Sequence, residues 1–132
     1  MIGLDTNVLV RYLVEDDARQ TAQAAALIER AIADDESLYV SDVVVCETVW
    51  VLSVAYKVGR KEIAAVLRSL FRARHLDFGA VDQLIRALDS YESGKGDFAD
   101  YLIREHARAA DCESVATFDR LLLKERGFVA PK

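Results

Sequence analysis

The chain has 132 residues, 52% of them hydrophobic and 30% charged, with a formal net charge of −5. That is enough chain for one domain with its own core, the composition is neither disordered nor membrane-spanning, and the negative balance argues against broad grip on duplex nucleic acid. No apolar run is long enough to cross a bilayer, and no basic n-region precedes the apolar opening, so a cytoplasmic protein with no membrane contact is expected.

In chain order, residues 2–5 form a short apolar strand that ends on Asp5 and leads into Asn7-Val8-Leu9-Val10-Arg11-Tyr12-Leu13. Ala22, Ala25, Ile28 and Ile32 recur at helical spacing and predict a helix over 18–33. Leu38-Tyr39-Val40 reads as a second strand, with Ser41 or Asp42 capping the apolar helix that follows. After Gly59, a helix carries Ile63, Val66, Leu67, Leu70 and Phe71 on its core face and Lys61, Arg68 and Arg72 on the other. From Lys57 to Arg74 the only acid is Glu62, so the segment is a local basic patch.

His75-Leu76-Asp77-Phe78 predicts a third strand, and Val81, Leu84, Ile85 and Leu88 mark the next helix. Ser93-Gly94-Lys95-Gly96 is a loop. From Asp97 a helix is expected to carry Ala99, Leu102, Ile103, His106, Ala107 and Ala110 on one face. A strand at 115–117, a short helix around Leu121-Leu122-Leu123-Lys124 and a final Phe128-Val129-Ala130 complete the pass. Strands separated by helix-length segments imply an α/β fold: a single domain over 1–132, with a short, mostly parallel sheet flanked by helices on both faces. Cys46 and Cys112 are expected to be reduced thiols that pack in the core, without chemistry of their own.

Four acids stand out by context, Asp5, Glu47, Asp100 and Asp119, with Asp97 beside Asp100. Asp5 and Asp119 each follow a short apolar strand, and ligands of open α/β sheets collect at strand carboxyl ends. Glu47 is the only charged residue between Val43 and Tyr56, and an isolated carboxylate among apolar residues costs stability unless something compensates it. Asp97 and Asp100 are three apart and so lie on one side of a first helical turn. Oxygen donors without clustered His or Cys suit Mg²⁺, with Mn²⁺ as a substitute, over Zn²⁺. Each acid also has a structural reading, with Asp5, Asp97 and Asp119 well placed to cap helices. No phosphate-binding Gly-x-x-x-x-Gly-Lys-Ser/Thr loop and no Gly-x-Ser-x-Gly elbow is present.

Leu4-Asp5-Thr6-Asn7-Val8-Leu9, the isolated Glu47 after Ser41, Asp97-Phe98-Ala99-Asp100-Tyr101-Leu102-Ile103 and Thr117-Phe118-Asp119 together resemble PIN-domain ribonucleases of the VapC toxin type, over nearly the whole chain and in the same order. The resemblance implies that Asp5, Glu47, Asp100 and Asp119 are the catalytic acids holding Mg²⁺, with Asp97 auxiliary. It gives Thr6, Asn7 and Thr117 the role of orienting ligands or waters. It also implies an RNA substrate cut to 5′-phosphate and 3′-hydroxyl ends, a homodimer, and an inhibitory antitoxin partner. Val49-Trp50-Val51-Leu52 and Val8-Leu9-Val10 are candidate surfaces for the protein contacts, and the basic face at Lys61, Arg68 and Arg72 for RNA. A housekeeping PIN nuclease is an alternative. So is another Mg²⁺-dependent phosphoryl hydrolase, although a haloacid-dehalogenase-like enzyme would want Asp where Asn7 stands. A non-catalytic interaction module, its acids serving only as caps, is the rival of a different class.

Overall fold

The computed structural model describes residues 1–132, which form two compact units, Met1–Gly79 and Ala80–Lys132. The first contains strand β1 (Ile2–Gly3), helices α1 (Thr6–Leu13) and α2 (Ala18–Ala33), strand β2 (Leu38–Tyr39), helices α3 (Asp42–Val54) and α4 (Arg60–Phe71), and strand β3 (Leu76–Asp77). The second contains α5 (Val81–Ser93), α6 (Phe98–Ala109), β4 (Val115–Ala116), a 3-10 turn at Leu122–Lys124, and β5 (Phe128–Val129). The fold is α/β, built of short parallel sheets with helices flanking them. In the first unit the sheet order is β1-β2-β3, with Ile2 opposite Leu38 and Leu38 opposite Leu76. In the second, β4 pairs in parallel with β5. Parallel neighbours cannot be joined by a hairpin, and the helical crossovers supply the needed length. No helix is long and apolar enough to cross a membrane.

The helix starts follow from side chains seen in the sequence. Ser41 caps α3, its Oγ accepting from the backbone N–H of Val44 at 3.3 Å. Asp17 caps α2 by accepting from Gln20 N at 3.0 Å. The buried face of α2 is Ala24, Ile28 and Ala31, while Ile32 is exposed, so the apolar stripe is rotated from the expected 22/25/28/32 register. On α4, Ile63, Ala64, Leu67 and Leu70 are buried, and Phe71 meets Phe78 edge-on with centroids 5.0 Å apart.

Helix α3 corrects two expectations. Its buried residues are Val44, Val45, Thr48, Val49 and Leu52, whereas Val43, Glu47, Trp50 and Val54 form an exposed stripe at helical spacing. Glu47 is therefore solvated, and the stability penalty expected from its apolar sequence neighbours does not arise. The same pattern divides the candidate contact stretches. Val49, Leu52, Leu9 and Val10 are core, and Trp50 is the large side chain left on the surface.

Thr48 is fully buried and its hydroxyl has no hydrogen-bond partner. An unsatisfied buried hydroxyl costs roughly 1–3 kcal/mol. Thr48→Val keeps the shape and removes the polar atom, so it should raise the melting temperature by a few degrees in thermal denaturation. A lower melting temperature would show that the hydroxyl has a partner in solution.

In the second unit α5 and α6 pack on each other, with Tyr91 meeting Phe98 edge-on, and bury Leu84, Ala87, Leu88 and Tyr91 of α5 and Phe98, Tyr101, Leu102 and Glu105 of α6. The expected inner face of α6 is corrected here: Ile103 is exposed and Glu105 is buried. Glu105 is tolerated because Arg104 Nε and Arg108 reach its two oxygens at 3.1 and 3.4 Å, and a buried charge persists when it is paired. His106 is half-buried and set against the Gln83 side chain. Cys112 is exposed rather than packed, whereas burial pushes the half-buried Cys46 thiol up to about 11, with the Asp42 charge adding to the effect. Neither cysteine is in a disulfide.

Candidate metal centre

Asp5 follows β1 and is the N-cap of α1, in extended conformation at φ −79° and ψ 158°. Its Oδ1 accepts from Thr6 N at 2.8 Å, and its carbonyl accepts from Val8 and Leu9 N. A carboxylate has about four acceptor positions, so a single cap bond leaves Asp5 with donor capacity toward a cation. Thr6 is buried, and its Oγ1 donates to Glu47 Oε1 at 3.2 Å. One threonine therefore fixes two exposed carboxylates, Asp5 through its amide and Glu47 through its hydroxyl. Asn7 bonds to neither acid. It lines a cavity of about 330 Å³ with Val8, Arg11, Gln20, Gln23, Ala24 and Leu27.

In the second unit, Asp97 is the N-cap of α6 and Asp100 stands at its third position. The Asp97 backbone N–H donates to Asp100 Oδ2 at 3.2 Å, the reaching-back half of a capping box. Asp100 thus has a structural use that its sequence context did not show. Desolvation raises its carboxyl above the usual range, the Asp97 and Asp119 charges add to that, and the hydrogen bond from the Asp97 amide pulls the other way. Asp119 is exposed. Its Oδ1 accepts from Leu121 N at 2.8 Å and Leu122 N at 3.4 Å, and its own N–H donates to Thr117 Oγ1 at 3.0 Å.

The structure thus ties Asp5 to Glu47 in one unit and sets Asp97 and Asp119 against Asp100 in the other. No group of three or more His, Cys, Asp or Glu is gathered tightly enough to hold a metal ion as it stands. Lys61 is exposed on α4, Arg68 lies in its last turn, and the exposed Arg72 ends it.

Within each unit the donors are of the kind a hard divalent cation takes. In the first unit the Asp5 and Glu47 carboxylates are exposed oxygens, and in the second the Asp97 and Asp119 charges around Asp100 impose a cost that a cation would relieve.

Sequence reasoning missed what holds the loop before Asp97. Buried Tyr101 accepts from Gly96 N at 3.0 Å and donates to Glu125 at 2.5 Å. A Cβ at Gly94 would run into the Tyr101 hydroxyl, and one at Gly96 would lie 2.7 Å from a Leu122 methyl. Gly94 is thus dictated by close approach to the tyrosine, and Gly96 by Leu122 with the tyrosine behind it. Their spacing to Tyr101 was the only signal in the sequence, and the Glu125 partner lies 24 residues on.

A sequence profile of the PIN domain family matches residues 2–127, and so covers nearly all of both units. No curated protein matches the chain.

Proposed function

The chain belongs to the PIN domain family, whose members are generally nucleases that use divalent metal ions, and on that premise we propose that it is a Mg²⁺-dependent endoribonuclease and the toxin of a toxin–antitoxin pair. The observation that carries the site is the grip of Thr6 on the Asp5 and Glu47 carboxylates. Two anions held by one buried residue, both open to solvent, are what a cation needs from its ligands. In this reading Asp5, Glu47, Asp100 and Asp119 hold the metal, Asp97 is auxiliary, and the 132 residues work as one nuclease domain. Thr6 and Thr117 fix the carboxylates they touch, and Asn7 supports the site from the start of α1.

When bound, Mg²⁺ lowers the pKa of a water and stabilises charge on the phosphate oxygens. The chain's part is to bind and orient. Asp5 and Asp119 hold fixed positions through backbone hydrogen bonds, so few degrees of freedom remain to be frozen when ligands bind. Asp100 must be ionised to serve, and Asp97, through its amide, favours that form. No side chain is needed as nucleophile, and cleavage leaves 5′-phosphate and 3′-hydroxyl ends. Lys61, Arg68 and Arg72 are proposed as a second contact for RNA. The protein is proposed to act in the cytoplasm as a homodimer silenced by its antitoxin, with the exposed α3 stripe at Val43, Trp50 and Val54 as a surface for such contacts.

One specific observation favours the non-catalytic alternative. Asp5, Asp97 and Asp119 all stand at helix or turn starts, where a carboxylate is useful without any metal.

The toxin role is tested in cells. Expression of the wild-type chain without its partner should arrest growth, and Glu47→Gln should relieve the arrest at equal protein level. Unaffected growth while active protein accumulates would refute the toxin role and leave a housekeeping nuclease.

A further inference from the structure

Phe118 is 88% exposed, and it stands between Thr117 and Asp119. The chain has five phenylalanines, and the other four, Phe71, Phe78, Phe98 and Phe128, are buried or half-buried. Leaving one ring in water runs against the main driving force of folding. The ring is not carried on a loose tail. Thr117 N donates to Val129 O at 2.9 Å, Asp119 N to Thr117 Oγ1 at 3.0 Å, and Leu123 N to Asp119 O at 3.1 Å. The backbone on both sides of Phe118 is therefore fixed, and a two-torsion aromatic is displayed on it beside a carboxylate assigned to the metal.

The surroundings narrow the occupant. Arg120 is exposed and makes no ion pair or hydrogen bond. Lys95 and Lys124 line a cavity of about 250 Å³ with Gly94, Leu121 and Glu125, and the Glu125 carboxylate is engaged by the Tyr101 hydroxyl. From Phe118 to Arg126 there are three cations, Arg120, Lys124 and Arg126, against Asp119 and Glu125, inside a chain of net charge −5. Leu121 and Val129 are also partly exposed, so an apolar protein partner is the competing occupant. The unpaired guanidinium of Arg120, two residues from the ring in a stretch with one cation in excess, favours a polyanion whose units carry flat faces. Single-stranded RNA is recognised in that way, bases stacking on aromatic rings and phosphates meeting Arg or Lys.

We propose that Phe118 is a base-stacking residue for single-stranded RNA and that Arg120 takes the adjoining backbone phosphate. The proposal rests on the nuclease reading above, which supplies the reason for RNA to lie against Asp119. It makes Phe118 a determinant of which strand conformations are accepted, because a paired base cannot offer its face.

Binding of a short fluorescein-labelled single-stranded RNA, followed by anisotropy in chelator so that nothing is cut, tests the proposal apart from catalysis. Phe118→Ala and Phe118→Leu should each weaken binding by roughly 5- to 100-fold, and Phe118→Trp should keep it. Arg120→Ala should lower the slope of log affinity against log salt by about 0.7. In Phe118→Trp, RNA should quench indole emission beyond the change seen in wild type, whose only indole is Trp50. Melting temperatures of all four variants should match wild type, because an exposed ring has no packing to lose. Unchanged binding by Phe118→Ala, or no extra quenching, overturns the proposal even if the protein cleaves RNA. Full affinity in Phe118→Leu overturns it, because leucine offers no ring to stack on, and a wild type that binds no RNA overturns it in favour of an apolar protein contact. Loss of metal-dependent cleavage as the general reading would instead show in the acid variants, with stacking on Phe118 still measurable.

Discussion

Asp5→Asn and Asp100→Asn should each lower kcat/KM for RNA cleavage by at least about 100-fold while the fold stays intact. The size follows from metal-site chemistry: residues that only support ligands already cost about 10- to 100-fold when changed, and direct ligands cost more. The intact fold follows from the hydrogen bonds. Asp5 caps α1 through Oδ1, and Asn is as good an N-cap as Asp. Asp100 receives the Asp97 amide at Oδ2, a bond that an Asn oxygen also accepts. Each substitution thus removes charge and keeps shape. Asp97→Asn should cost less, because Asp97 is auxiliary. Full cleavage by a folded Asp100→Asn protein would remove Asp100 from the site and make Asp97 the first residue to test in its place.

The second large effect concerns stability. Without metal, Asp100 is partly desolvated and faces the Asp97 and Asp119 charges, which together raise its carboxyl above the usual range. A carboxyl whose folded pKa is raised stabilises the fold below its ordinary pKa, and that contribution is lost as pH rises through the raised value. At neutral pH the metal-free wild type therefore carries a local cost, and Asp100→Asn should melt at a higher temperature. The gap should close as pH falls toward the ordinary carboxylate range, about 4. Mg²⁺ binds the folded protein and not the unfolded chain, so at a hundredfold excess over Kd it should stabilise wild type by roughly 2.7 kcal/mol. That is a shift on the order of 10 °C, and it should shrink sharply in Asp100→Asn. Acids that only cap helices would give no Mg²⁺ shift in either protein, so the same melting curves decide against the non-catalytic module.

Local chemistry made much of the fold readable. Ser41, Gly59 and Asp97 begin helices where their residue types predict, and each apolar run expected to be a strand is one, although only two residues of each pair. What failed were the faces. In α2 the inward residues beside Ile28 are Ala24 and Ala31, too small for their spacing to outweigh Ile32, so the observed stripe is rotated about Ile28 from the expected one. In α6 the inward position is Glu105, which no hydrophobic pattern marks, because its burial depends on Arg104 and Arg108. The Tyr101–Glu125 bond joins residues from different elements and has no local trace.

The candidate acids were legible for a different reason, which is that a carboxylate in an apolar context asks for an explanation. For Glu47 the folded surroundings differ from the sequence context. Glu47 was singled out because its sequence neighbours are apolar, yet it faces solvent on the exposed side of α3. Its tie to Asp5 runs through Thr6, which is buried and 41 residues away in sequence. Phe118 was read only as part of the Thr-Phe-Asp segment, because exposure of a single ring is a property of the folded surface.

The most direct test of a metal-dependent ribonuclease is cleavage of a labelled RNA by the purified wild-type chain, freed of any bound inhibitor, with Mg²⁺ and with chelator in parallel. The expected result is cleavage in Mg²⁺ or Mn²⁺ to products bearing 5′-phosphates, abolished by chelator and restored when the metal is returned. Cleavage that continues undiminished in chelator, or folded protein that cuts no RNA in either metal, would contradict it.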